Sequence, residues 1–89
     1  PEWWNDEGLK VLSARVVRAA PDDGIANDMR ADVLCGMCAA WEVEPRSAAE
    51  LEEAATHFER GAALHPAPAA KAELAVKAAW CRHQAVVLS

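Results

Sequence analysis

Apolar residues recur three and four positions apart along this chain, in four stretches set off by prolines. Leu9, Leu12, Val16 and Ala19 form the first stripe. Ile25, Met29 and Val33 open the second, which continues through Leu34, Cys38 and Trp41. Leu51, Ala55, Phe58 and Ala62 form the third, and Leu74, Ala78, Cys81, Ala85 and Leu88 the fourth. The fourth stretch carries a second stripe, Val76, Trp80, His83 and Val87, and a helix apolar on two faces is expected to be covered on both. The breaks are Pro21-Asp22-Asp23-Gly24, Pro45 and Pro66-Ala67-Pro68. Proline inside a helix removes a hydrogen bond and clashes with the preceding turn. The spacing therefore predicts helices over 2–20, 24–43, 47–65 and 69–88, each about 28 Å long.

Capping residues agree with these bounds. Ser47-Ala48-Ala49-Glu50 is a capping box, in which Ser47 accepts from a free N–H and Glu50 reaches back. Asp22 or Asp23 can cap the second helix. In the first, Glu2, Asp6 and Glu7 lie early while Arg15 and Arg18 lie late, which complements the helix dipole. Connections of about three residues bring successive helices side by side and antiparallel.

Composition points the same way. Alanine fills 21 of 89 positions, with one Ile, one Thr, one Phe and no Tyr, so strand formers are too scarce for a sheet. The fold class is all-α. At 9.6 kDa the chain is expected to be one helical domain over residues 1–89, and a first residue of Pro1 instead of Met suggests a fragment or a processed product of a larger chain. The net charge of −5 argues against a nucleic-acid partner. Charge is uneven: residues 22–59 hold ten acids against two bases, whereas Lys71, Lys77 and Arg82 face only Glu73 after residue 65. The longest apolar run, Val33 to Trp41, is nine residues, against the roughly 20 a membrane span needs. Three cysteines and no leader sequence suggest a reducing, cytoplasmic setting.

An internal repeat is visible. Arg30-Ala31-Asp32-Val33 resembles Lys71-Ala72-Glu73-Leu74, and their continuations reach Ala39-Ala40-Trp41 and Ala78-Ala79-Trp80. Pro21 and Pro66, 45 residues apart, end the first and third helices. Ala54, Phe58, Gly61 and Pro66 have the spacing that closes a tetratricopeptide (TPR) motif, and Ala31 and Leu34 fall where that motif places a small and a large residue. Here the chain resembles the tetratricopeptide-repeat family, over most of residues 9–80. It departs from the family in having Ser13 at an aromatic position and a period of 45 instead of 34. The surplus is about three helical turns, which lengthens both arms of a hairpin. The resemblance implies four antiparallel helices as two stacked hairpins, part of a right-handed superhelix. A generic alanine-rich helical bundle is the other reading.

Candidate chemistry is sparse. Cys35-Gly36-Met37-Cys38 lies inside the predicted second helix, with no strand before it, so packing is preferred to redox chemistry. A zinc site would need Cys81 and His83 as well, but two apart on one helix they point to different sides. Glu53 and His57, four apart, read as a surface ion pair. No serine has a paired base and no glycine-rich phosphate loop is present, so the chain reads as a non-enzyme with no cofactor and no metal. Trp3 and Trp4 point about 100° apart on a helix, so one of them calls for cover from outside this unit.

The family resemblance implies a scaffold that binds protein in a groove lined by alternate helices. Asp28, Asp32 and Cys35 of the second helix and Glu73, Lys77 and Trp80 of the fourth would line it. The family's clamp for a C-terminal carboxylate needs Lys, Asn and Arg in the groove, and carboxylates at Asp28 and Asp32 disfavour it. They suit a basic peptide or helix instead. The alternative is a structural four-helix bundle that self-associates, as a homodimer through Trp3, Trp4 or helix four.

Overall fold

A computed structural model of the chain describes residues 5–36 and 45–89. They form four helices, α1 (Asp6–Ala19), α2 (Gly24–Cys35), α3 (Ala48–Leu64) and α4 (Pro68–Leu88), with no strand among them. α1 packs on α2, α2 on α3 and α3 on α4. α3 is thus the shared wall, and the core cluster is built around it.

Local chemistry sets the ends. Asn5 caps α1 by accepting from Gly8 N at 2.7 Å. Asp23 caps α2, accepting from Ile25 N at 2.8 Å and Ala26 N at 3.2 Å. Both halves of the Ser47–Glu50 capping box are formed. α4 starts with proline in its first turn, where the missing N–H costs nothing.

The second helix differs from its predicted span. α2 ends at Cys35, and Gly36 follows in the left-handed region with φ 74°. Glycine takes that conformation without a steric penalty and closes helices. Residues beyond it up to 43, including Cys38 and Trp41, lie outside the described residues, as do Trp3 and Trp4. The first cysteine of the C-x-x-C motif, Cys35, is thus the last residue of α2 and not an interior one.

The buried face of α1 also differs from its stripe. Ser13 is buried and Leu12 is exposed. Ser13 Oγ donates to Lys10 O at 3.1 Å and accepts from Arg30 Nη1 at 3.1 Å, so a hydrogen-bonded hydroxyl is what α1 buries at this position. Arg46 joins the first three helices. It clasps Asp6 with two hydrogen bonds of 2.6 Å and donates to Val33 O, at the end of α2, at 2.8 Å. Both side chains are 6% exposed, so removing either would strand a buried charge.

Phe58 is fully buried in the core of α3, between Ala54 and Gly61 in the family-like series. Phe58→Ala is expected to cost about 3–5 kcal/mol in chemical denaturation, as large-to-small core changes do. A cost near zero would place Phe58 at the surface.

Candidate functional site

The candidate site starts from the way α2 meets α3. Gly61 faces Asp28, and a Cβ at that position would collide with Asp28 Oδ1. The missing side chain lets the α2 carboxylate lie flat against α3. Asp28 Oδ1 is buried there without a hydrogen-bond partner. Asp32 lies one turn further along α2 and is likewise half-buried. Burial pushes both carboxyls above the ordinary aspartate range, the charge of Asp32 pushes Asp28 further, and Lys77 of α4 pulls both back. Lys77 Nζ lies 5.7 Å from the centre of the Phe58 ring, a cation–π distance.

Asp28, Asp32 and Lys77 thus lie within electrostatic reach of one another. The other three candidates do not join them. Cys35 is buried in the core, so it does not line a surface groove; its thiol donates to Asp32 O at 3.5 Å and lies against Cys81. The reason is its register on α2: Cys35 follows the fully buried Ala31 by four residues and shares its core face. Glu73 and Trp80 are exposed on α4, and no polar contact ties them to α2. The apolar stripe Ile25, Met29 and Val33 was legible in the sequence, but not that it flanks the carboxylates with Ile25 left open to water. An open depression of about 370 Å³ is lined by Ile25, Asp28, Met29, Asp32 and Val33. The signal was the four-residue spacing of Ile25 and Met29 alongside that of Asp28 and Asp32. Ile25 is 81% exposed, an apolar side chain left open to water next to two acids.

The pairing of the acids is uneven. On α3 every carboxylate has a cation: Glu50 meets Lys10, Glu53 meets Arg30, and Glu52 and Glu59 share Arg82. Asp28 and Asp32 have no ion pair within 4 Å among the described residues.

The Glu53–His57 pair is only partly at the surface: Glu53 is exposed, whereas His57 is not. His57 is buried, with Nδ1 2.9 Å from Asn27 Oδ1 and Nε2 3.3 Å from Glu53 Oε2. Asn27 spends both amide hydrogens on Pro21 O and Asp23 O, each at 2.9 Å. Its carbonyl oxygen is therefore the atom turned to His57, and Nδ1 carries the ring hydrogen that it accepts. Burial pushes His57 below the ordinary histidine range, Glu53 opposes this, and the Arg60 and Arg30 charges add to it.

Cys81 is buried, its thiol pushed up to about 12 by burial and by neighbouring Cys35, which keeps it protonated and unreactive. His83, two residues on, is exposed on the other side of α4. Among the described residues no three of His, Cys, Asp and Glu converge to hold a metal ion, and no helix is long and apolar enough to cross a membrane. No family model, curated protein or solved structure matches the chain.

The buried imidazole gives stability a defined pH dependence. Its folded-state pKa is depressed, so the unfolded chain takes up the proton first as pH falls. The contribution of neutral His57 is present above about pH 6.5 and is lost as pH falls through its lower folded value. The urea midpoint should drop between about pH 7.5 and pH 5.5, and by less in His57→Asn, which lacks the titrating ring. Equal slopes in both proteins would show that His57 does not titrate in this way.

Proposed function

We propose that this chain is a non-catalytic protein-interaction module, two antiparallel helical hairpins stacked in the tetratricopeptide manner. Its groove between α2 and α4 takes a basic peptide or partner helix. The observation that carries this reading is the contrast between the paired acids of α3 and the half-buried, unpaired Asp28 and Asp32 on α2. Taking a carboxylate out of water without a partner is unfavourable, and an incoming ammonium or guanidinium offsets that cost. Ile25, Met29 and Val33 supply the adjoining apolar wall. Lys77, which acts on both carboxyls, is held over Phe58, and His65 at the end of α3 acts on Asp28. The resemblance of Ala54, Phe58, Gly61 and Pro66 to the end of a tetratricopeptide motif supports the same architecture.

Affinity should be modest and should fall as salt rises, because exposed charges are screened within about 8 Å at physiological ionic strength. Charge steering acts mainly on association. Asp28→Asn combined with Asp32→Asn should slow binding of a Lys/Arg-rich helical peptide pool by about tenfold at low salt, with a smaller change in dissociation. The check is stopped-flow titration of basic and acidic peptide pools at two salt concentrations. Equal binding of both pools, or a preference for the acidic one, would reject the reading.

A further inference from the structure

α4 covers only one of its two apolar stripes. Leu74, Ala78, Cys81 and Ala85 are buried against α3. On the opposite side Val76 is 69% exposed, Trp80 43% and Val87 65%, and His83 is exposed between them. This face is also short of charge, for a structural reason. Lys71 donates to Ala62 O at 2.9 Å, Lys77 lies over Phe58, and Arg82 holds Glu52 at 2.8 Å and Glu59 at 2.5 Å. All three cations of α4 are thus turned towards α3. What remains outside is a stripe of Val, Trp, His and Val, widened by the small side chains of Ala72 and Ala79.

The spacing of that stripe identifies what fits it. Residues 76, 80, 83 and 87 are separated by four, three and four, so the pattern reads the same from either end. A two-fold interface requires that if residue i meets residue j, j also meets i. Two α4 helices laid antiparallel about the point midway between Trp80 and His83 satisfy this. Val76 of one copy then meets Val87 of the other, and Trp80 stacks on His83, twice over. The four-and-three spacing is also the heptad seam along which helices pair side by side. Glu73 falls outside the paired stretch in this register, so no carboxylate is buried. Two uncharged faces meet without stranding a charge, which is unfavourable for a face that must receive a charged partner.

We propose that the outer stripe of α4 is a self-association surface, through which two copies of this chain pair antiparallel and two-fold. The pairing does not depend on the groove reading: it uses Trp80, while Asp28, Asp32 and Lys77 stay clear of it.

Sedimentation equilibrium of the 89-residue chain, from micromolar concentrations to on the order of 1 mM, tests this. The wild-type chain is expected to reach twice 9.6 kDa. Val76→Lys and Val87→Glu, each at an exposed position, should keep the wild-type helical signal and melting profile. Each alone should weaken dimerisation by about tenfold or more, because a charge then faces valine. The double variant places Lys at 76 opposite Glu at 87 of the other copy, at two symmetric points, and should recover most of the lost association. A wild-type chain that stays monomeric overturns the proposal, as does a dimer indifferent to the single changes. Loss in the single variants without recovery in the double overturns the antiparallel pairing.

Discussion

The small side chains of α3 are the constraint on which the rest of the structure depends. Ala54 and Ala55 have no exposed surface and Gly61 is buried, so α3 presents a nearly bare backbone to the helices on either side. The distance between packed helices is set by the side chains at their contact. α2 answers with Ala31 and α4 with Ala78 and Ala85, all buried. Phe58 is the largest fully buried side chain among the described residues, and the alanines around it let three helices close on it. The abundance of alanine is thus a packing device here as much as a helix-forming one. The same closeness lays Asp28 against Gly61 and brings Asp32 within the field of Lys77.

Polar groups do the joining where alanine buries too little. Arg30 links three helices: it donates to Lys10 O and Ser13 on α1 and pairs with Glu53 on α3. Asn27 and His57 continue that line into the turn before α2. A buried polar network of this kind rigidifies only if its members are satisfied. Arg30, Ser13 and Asn27 are satisfied, and the contrast isolates Asp28, whose inner oxygen is not. That unsatisfied acceptor lies beside the depression lined by Ile25, Met29 and Val33.

Much of the fold is legible in the sequence because its signals are local. Prolines, the Ser47–Glu50 box and the 3.6-residue period place α3 and α4 to within a residue or so of their observed ends. The end of α2 was obscured because Gly36 interrupts an apolar run that otherwise reads as continuous helix. The features that escaped are long-range. His57 reads as a surface residue because its partner, Asn27, is 30 positions away, and Arg46 gives no hint that it meets Asp6 across 40. Leu12 and Ser13 exchange roles for the same reason: the hydroxyl is worth burying only because Arg30 arrives from another helix. Of the groove candidates, Asp28, Asp32 and Lys77 lie near one another and were legible because charge at helical spacing is visible, whereas Glu73 is exposed away from them and Cys35 shares the buried face of Ala31.

The account stands on α2 and α4 sharing one electrostatic environment across α3. The most direct measurement is a carbon-detected NMR titration of the Asp28 and Asp32 carboxyls in the wild-type chain and in Lys77→Met. Both groups are predicted to titrate above the ordinary aspartate range, and higher still once the ammonium that pulls them down is gone. Two carboxyls titrating in the ordinary range and unmoved by the loss of Lys77 would contradict it, because α2 and α4 would then not line a common groove.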